Sequence, residues 1–231
     1  MELNFPFLKN TFFAVLHGIP TASAITFFSL TLAAVPAFFM ALARIYKIKI
    51  LSNLVKIYVS FIRGTPMVIQ ILIIYSLLPS LINRTISALG LPVSVFDIDP
   101  FFYAIVVFTL HSAAAFSEII RSAILTVDRG QMDACLALGM KPLKAFRLVI
   151  VPQAAVNAVA NVGNLTVNLF KETSLAFLMT VKDITAIAKI EASFGYNYIE
   201  AYLDIFAVYL VICSLFQFAF YVLEKKVFVR N

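Results

Sequence analysis

Asp133-Ala134-Cys135-Leu136-Ala137-Leu138-Gly139, followed by Val149-Ile150-Val151-Pro152, is a short, partly basic segment set between two long apolar runs. The run before it, about 101–122, and the run after it, about 149–170, are each long enough to cross roughly 30 Å of hydrocarbon as a helix. The stretch therefore lies between two membrane crossings. Asp133, Ala134, Ala137 and Leu138 share one shallow face at helical spacing. Gly139 suits a left-handed helix end, and Pro142 follows at the distance of a stop signal. A plain amphipathic loop helix would have the same pattern, so the flanking sequence has to decide its meaning.

Apolar residues make up 62% of the chain and charged residues only 13%. Mean hydropathy is +0.96. A water-soluble domain is about 45–50% apolar, so this chain cannot hide its apolar surface in one soluble core. The expected fold is all-α and polytopic, with five spans at about 16–43, 65–82, 101–122, 149–170 and 202–223. Pro20, Pro36 and Pro66 are expected to kink helices. Residues 5–16 are expected to form an amphipathic elbow along the outer interface. Residues 174–197 are expected to form short, partly re-entrant helices outside the fourth span. Residues 1–10 lack the basic start and small-residue cleavage site of a removed signal and are read as mature sequence. The whole of 1–231 is one domain, with 123–148 as a loop within it.

The formal charge is +6, but the basic residues are not gathered as in a nucleic-acid-binding patch. Arg44, Lys47, Lys49, Lys56 and Arg63 lie in the first connection. Arg121, Arg129, Lys141, Lys144 and Arg147 lie around the third, and Lys225, Lys226 and Arg230 in the tail. These are 13 of the 18 basic residues. The positive-inside rule then puts the N-terminus outside, the C-terminus in the cytoplasm and the 133–139 loop in the cytoplasm. Five spans agree with that parity. The two cysteines, Cys135 and Cys213, have neither disulfide-framework nor metal-ligand spacing.

The fourth span carries Asn157, Asn161, Asn164 and Asn168, spaced four, three and four. At about 100° per residue they fall within one narrow sector. A buried amide without partners costs a few kcal/mol, so these side chains must face water, a solute or another helix. Asn161, Asn164 and Asn168 are candidate substrate-path residues; interhelical bonding, including across a dimer interface, is the competing role. Gln70 in the second span, His111 in the third and Glu172 near the outer end of the fourth are further candidates. A hydrogen-bonded core histidine is as good a reading of His111. Glu118 is expected to pair with Arg121 at i, i+3. The motifs of hydrolases, metalloproteases and phosphate-binding loops are missing from the sequence, and no metal site is expected.

The loop resembles the cytoplasmic loop by which permease subunits of bacterial ABC importers dock their ATPase: Glu-Ala-Ala, three residues, Gly, nine residues, Ile, one residue, Leu-Pro. Here Asp133 stands for the Glu, Cys135 for the second Ala, Val149 for the Ile and Val151 for the Leu. Further runs narrow the likeness to the histidine/glutamine/arginine/cystine-type permeases for polar amino acids. They are Phe61-Ile62-Arg63-Gly64-Thr65-Pro66 with Gln70, Gly18 and Thr21, Glu118-Ile119-Ile120-Arg121, and Lys171-Glu172-Thr173-Ser174-Leu175.

The resemblance implies an ABC type I importer permease in the cell membrane, five transmembrane helices plus a cytoplasmic coupling helix. Asp133, Ala134, Ala137, Leu138 and Gly139 would dock the ATPase. It implies a homo- or heterodimer with a second permease, a cytoplasmic ABC ATPase dimer and an extracytoplasmic solute-binding protein. ATP would be bound and hydrolysed on the partner, so the chain itself is expected to be no enzyme and to hold no cofactor. An ATP-independent channel or carrier for a small polar solute is the alternative. An intramembrane enzyme finds no convincing acid pair, nucleophile or metal cluster in the spans. The amides weakly disfavour purely cationic solutes, while Glu172 keeps them within range.

Overall fold

The computed structural model describes residues 3–89 and 95–228; Arg230 of the basic tail lies outside them. All described elements are helical. In chain order they are α1 (Phe5–Leu16), α2 (Ile19–Ile45), α3 (Lys49–Gly64), α4 (Met67–Ala88), a short turn of helix at Val95–Asp97, α5 (Pro100–Leu125), α6 (Arg129–Ala137) and α7 (Pro142–Ala145). After a π-helical turn at Phe146–Ile150 come α8 (Val151–Glu172), a 3₁₀ segment (Thr173–Met179), α9 (Ile184–Ser193) and α10 (Tyr198–Phe228). Five stretches are long and apolar enough to cross a membrane: Phe5–Ile45, Met67–Ala88, Pro100–Leu125, Pro142–Met179 and Tyr198–Val227.

The bundle is organised around α2 and α5. Ala22, Ser29, Ala33, Ala37 and Ala41 form a buried stripe of small residues on α2. Facing α5 carries buried Ala104, Ser112, Ala113 and Ala114. Without large side chains between them, two backbones approach closely, which is how helices gain packing energy in a bilayer. Ser29 Oγ donates to the Ile105 carbonyl across this seam at 3.4 Å. Outside it, Phe27, Val35, Phe39, Phe206 and Phe218 are all exposed, an apolar exterior suited to lipid or to a second apolar surface.

The prolines mostly begin helices rather than bend them. Pro20 sits in the first turn of α2, and Pro66 precedes α4 as its N-cap. Neither position needs the missing N–H. Among the described residues, Pro36 and Pro79 lie inside α2 and α4. Pro152 is in the first turn of α8, directly after the π-turn. There the Val151 N–H donates to the Phe146 carbonyl five residues back. The extra residue in that turn relieves the crowding a proline ring imposes on the carbonyl four residues before it.

The Arg63-Gly64-Thr65-Pro66 run is a sharp helix break. Pro66 forces Thr65 into extended backbone, φ −116° and ψ 142°, and ends α3. The carbonyls left unpaired there are covered locally. Thr65 Oγ1 donates to the Phe61 carbonyl at 2.9 Å. Gln70 Nε2 donates to the carbonyls of Ile62 (2.7 Å) and Thr65 (3.0 Å). α3 itself lies in a region expected to be only a connection. It is a 16-residue helix whose buried Ser52, Val55, Val59 and Ile62 pack toward α2 and α5.

Residues 5–16 are a separate helix, as expected, broken from α2 at His17 and Gly18 and packed on α9 and α10. Gly18 is the pivot: a Cβ there would lie 2.3 Å from the Ile184 backbone nitrogen. Backbone cannot step aside as a flexible side chain can. Gly18→Ala is therefore expected to lower stability by about 1–3 kcal/mol, as overpacking does. A thermal melt followed with a thiol-reactive dye, reporting on Cys135 and Cys213, reads the shift.

Asp183, buried beside that pivot, caps α9. Its Oδ1 accepts from the Ala186 N–H at 2.8 Å, and its Oδ2 lies 3.5 Å from the Tyr209 hydroxyl. Burial raises its pKa from 3.8 to about 6, against the backbone hydrogen bonds that lower it. The fold therefore prefers the protonated acid. This group's contribution to stability is full below the unfolded pKa of 3.8 and is lost as pH rises through about 6. The difference is about 3 kcal/mol. Asp183→Asn keeps the capping oxygen and removes the charge, so it is expected to flatten that slope between pH 4 and 6 in the same melt.

Candidate functional site

α8 carries one apolar and one polar face. Ala154, Gly163, Leu169 and Phe170 are buried on it, and Gly163 lies so close to the Phe220 ring that a Cβ would sit 2.7 Å from it. Asn157, Asn161, Asn164 and Asn168 are all exposed on the other face. Asn157 donates to Thr126 Oγ1 of α5 at 3.2 Å. Asn161, Asn164 and Asn168 make no side-chain hydrogen bond among the described residues. Among the described residues, then, these three amides bond to no other helix, which leaves them available to a solute, to water or to a second subunit. At the basic end of the bundle the stripe opens into a cavity of about 380 Å³ lined by Ser122, Thr126, Asn157, Asn161 and Glu224.

At its other end the stripe reaches Glu172, one helical turn past Asn168. Glu172 Oε2 lies 3.4 Å from His111 Nε2 on α5. His111 Nδ1 lies 3.0 Å from Gln70 Oε1 on α4. The hydrogen-bond inventory fixes the roles. The Gln70 amide nitrogen is spent on Ile62 and Thr65, so its oxygen can only accept, and His111 Nδ1 must carry a proton. His111 Nε2 is therefore the nitrogen turned to Glu172. Gln70 is buried behind the histidine, whereas the ring of His111 and the carboxylate of Glu172 are only partly covered. The sequence candidates Gln70, His111 and Glu172 thus converge from three helices, with Asn168 one turn away. Asn161 and Asn164 continue the same face.

The second candidate surface is α6. Asp128 caps it, its Oδ1 accepting from the Gly130 N–H at 2.6 Å. At the other end Gly139 adopts φ +78°. The Met140 N–H donates to Cys135 O at 3.0 Å and the Gly139 N–H to Leu136 O at 2.9 Å. That pair of bonds is a Schellman cap, which explains why a glycine stands there. Cys135 is buried, and Met132 packs on a cluster of Ala123, Val127, Ile150 and Ala154. Asp133, Ala134, Ala137, Leu138 and Gly139 are all exposed, Leu138 by 84%. Leu138, just past the nine-residue helix, thus stands as a large exposed leucine beside a face of small residues.

Glu118 on α5 pairs with Arg121, as its spacing predicts, at 2.9 Å. It also pairs with Arg44 at the end of α2. Sequence reasoning missed that partner, and it missed Thr126 and Glu224 beside the lower asparagines; no periodicity links residues on different helices. No group of His, Cys, Asp or Glu suited to a metal ion occurs among the described residues.

Membrane-length helices, one of them bearing an exposed face of amides, suit a membrane transport subunit. The chain belongs to the family of binding-protein-dependent transport system inner membrane components, which residues 35–229 match. It is 36% identical over 216 residues to the L-cystine transport system permease protein TcyL of Bacillus subtilis, covering 90% of this chain and 88% of that one. It is 34% identical over 221 residues to the octopine transport system permease protein OccM of Rhizobium radiobacter, covering 94% and 87%. Among solved structures it matches a chain of an amino acid ABC transporter crystallised with histidines, with a TM-score of 0.81 and 29% identity over 98% of this chain and all of that one. A chain of the MetNI methionine ABC transporter in an inward-facing form shares the fold, with a TM-score of 0.71 and 19% identity over 93% of this chain and 96% of that one. The expected all-α, five-span permease architecture is thus the observed one.

Proposed function

We propose that this permease is the membrane subunit of an ATP-driven importer for a polar amino acid. The observation that carries the reading is the run of unpartnered amides on α8 that ends at the Glu172–His111 pair. Amides offer both donors and acceptors, which suits a zwitterion bearing one carboxylate and one ammonium group. Asn161, Asn164 and Asn168 are the substrate-path residues, Glu172 and His111 form its most polar point, and Gln70 positions the imidazole. The cystine, octopine and amino acid transporters among its relatives support this solute class.

The exposed face of α6 is the docking surface for a cytoplasmic ATPase dimer. ATP is bound and hydrolysed there, and the movement passes to the bundle through α6 and the π-turn into α8. An extracytoplasmic binding protein delivers the solute, and a second permease, identical or related, completes the path. The N-terminus lies outside and the C-terminus in the cytoplasm, as the basic residues near α2, α3, α6 and α10 support.

Proteoliposomes holding the permease, an ABC ATPase that co-purifies with it and a matching solute-binding protein test the reading. Uptake of a radiolabelled polar amino acid is expected only with ATP inside the ATPase-bearing compartment. Equal uptake by permease alone would replace it with the ATP-independent carrier.

A further inference from the structure

Where α2 ends and α3 begins, the chain leaves a strongly basic hollow. Arg44, Lys47, Lys49, Lys56 and Arg121 line a cavity of about 600 Å³, with Ser52 and Asn53 completing its wall. Glu118 is the one carboxylate paired here among the described residues, and both arginines share it. Lys47, Lys49 and Lys56 are exposed and pair with no carboxylate among the described residues. The N-cap residue Ile48 supplies no side-chain oxygen to the first turn of α3, so that turn adds its positive end to the same hollow. Five cations facing one anion leave a large surplus, and a bound anion would relieve their mutual repulsion.

Next to this hollow, α3 carries an apolar stripe that nothing among the described residues covers. Ile50 (78% exposed), Leu54, Ile57 and Phe61 (59% exposed) follow one another at spacings of four, three and four. A second cavity of about 470 Å³, lined by Lys56, Ile57, Ser60 and Phe61, adjoins the first through Lys56. A charged hollow running into an apolar track along a helix matches one kind of molecule, with a negative phosphodiester head and a hydrocarbon tail. Free phosphate shares the head but has no use for the track.

We propose that this site holds an anionic phospholipid of the phosphatidylglycerol type. Its phosphodiester sits among Arg44, Arg121 and the three lysines, and one acyl chain runs along Ile50, Leu54, Ile57 and Phe61. The basic hollow lies on the face that the charge distribution assigns to the cytoplasm, where anionic headgroups attract basic clusters. The lipid would tie the ends of α2 and α5 to the start of α3.

The permease, purified in detergent and stripped of lipid, tests this by native mass spectrometry and by binding of fluorescent phosphatidylglycerol. Phosphatidylglycerol is expected to bind well ahead of phosphatidylethanolamine, and millimolar inorganic phosphate to displace it poorly. Lys49→Gln/Lys56→Gln, at two exposed positions, is expected to weaken binding by about twenty-fivefold, roughly fivefold for each lysine beside an anionic head. Ile57→Asn is expected to weaken the lipid without changing phosphate binding. Equal binding of the two lipids, wild-type affinity in the double lysine variant, or displacement by inorganic phosphate at equal concentration would each overturn the assignment. The readout uses neither ATPase nor solute, so its failure and that of the transport reading are separable.

Discussion

Ala137→Arg is expected to abolish ATP-driven uptake and co-purification of the ATPase while leaving the permease folded. Ala137 is exposed on α6, and the helix is anchored from its other side by Met132 and Cys135. Its caps are at Asp128 and Gly139, so nothing that holds α6 in place passes through this methyl group. The substitution should leave the melting temperature within the range of ordinary surface changes, about 0.5 kcal/mol. The partner would experience it differently. A face made of Ala134, Ala137 and Gly139 around one protruding Leu138 suits a shallow groove, and an arginine fills the space such a groove needs. Overpacking a close interface costs about 1–3 kcal/mol, which is roughly fivefold to 150-fold in affinity. A further charge buried without a partner adds to that cost. Pull-down stoichiometry and proteoliposome uptake measure both consequences. Stoichiometric ATPase with full uptake would remove α6 from the coupling path.

The sequence made the spans, the capped loop helix and the amide stripe legible because each is a short-range pattern. Hydropathy reads a span, a glycine after a small-residue helix reads a Schellman cap, and spacings of three and four read one face. α3 escaped this reading. Lys49, Lys56 and Arg63 interrupt its apolar residues, so it looked like a charged connection. Its polar face and two apolar faces become distinct only when it is set against α2 and α5. The site pairings were hidden for a different reason. Gln70, His111 and Glu172 were each visible as polar residues within apolar runs, but their convergence depends on how α4, α5 and α8 pack. Gln70 looked like a path residue, and the structure buries it behind the imidazole, where it covers the carbonyls at the end of α3 and orients His111 at once. Pro66 had looked like a kink; its actual effect is to stop α3 and leave the carbonyls that Gln70 then covers. One helix break thus sets the height and tautomer of a histidine on another helix.

Glu172→Gln is expected to reduce uptake by about tenfold to a hundredfold at limiting solute, with thermal stability unchanged. The substitution is nearly isosteric, and its geometry is favourable. His111 Nδ1 donates to Gln70, and a glutamine amide at position 172 can meet Nε2 across the same gap either way, donating to the neutral ring or accepting from the imidazolium. The α5–α8 contact therefore survives. What disappears is a carboxylate at the end of the amide stripe. A hydrogen bond from an ammonium group to a charged acceptor contributes about 1.5–3 kcal/mol, and a neutral amide oxygen supplies less than that. The loss should fall on the apparent affinity for the solute more than on the maximal rate, because α6 and its links to α8 are untouched. Gln70→Leu provides the contrasting case. It removes both the cover over the Ile62 and Thr65 carbonyls and the acceptor for His111, so stability and uptake should fall together. If Glu172→Gln transports with wild-type affinity, the carboxylate is no part of the solute path, and the asparagines of α8 must then recognise the solute unaided.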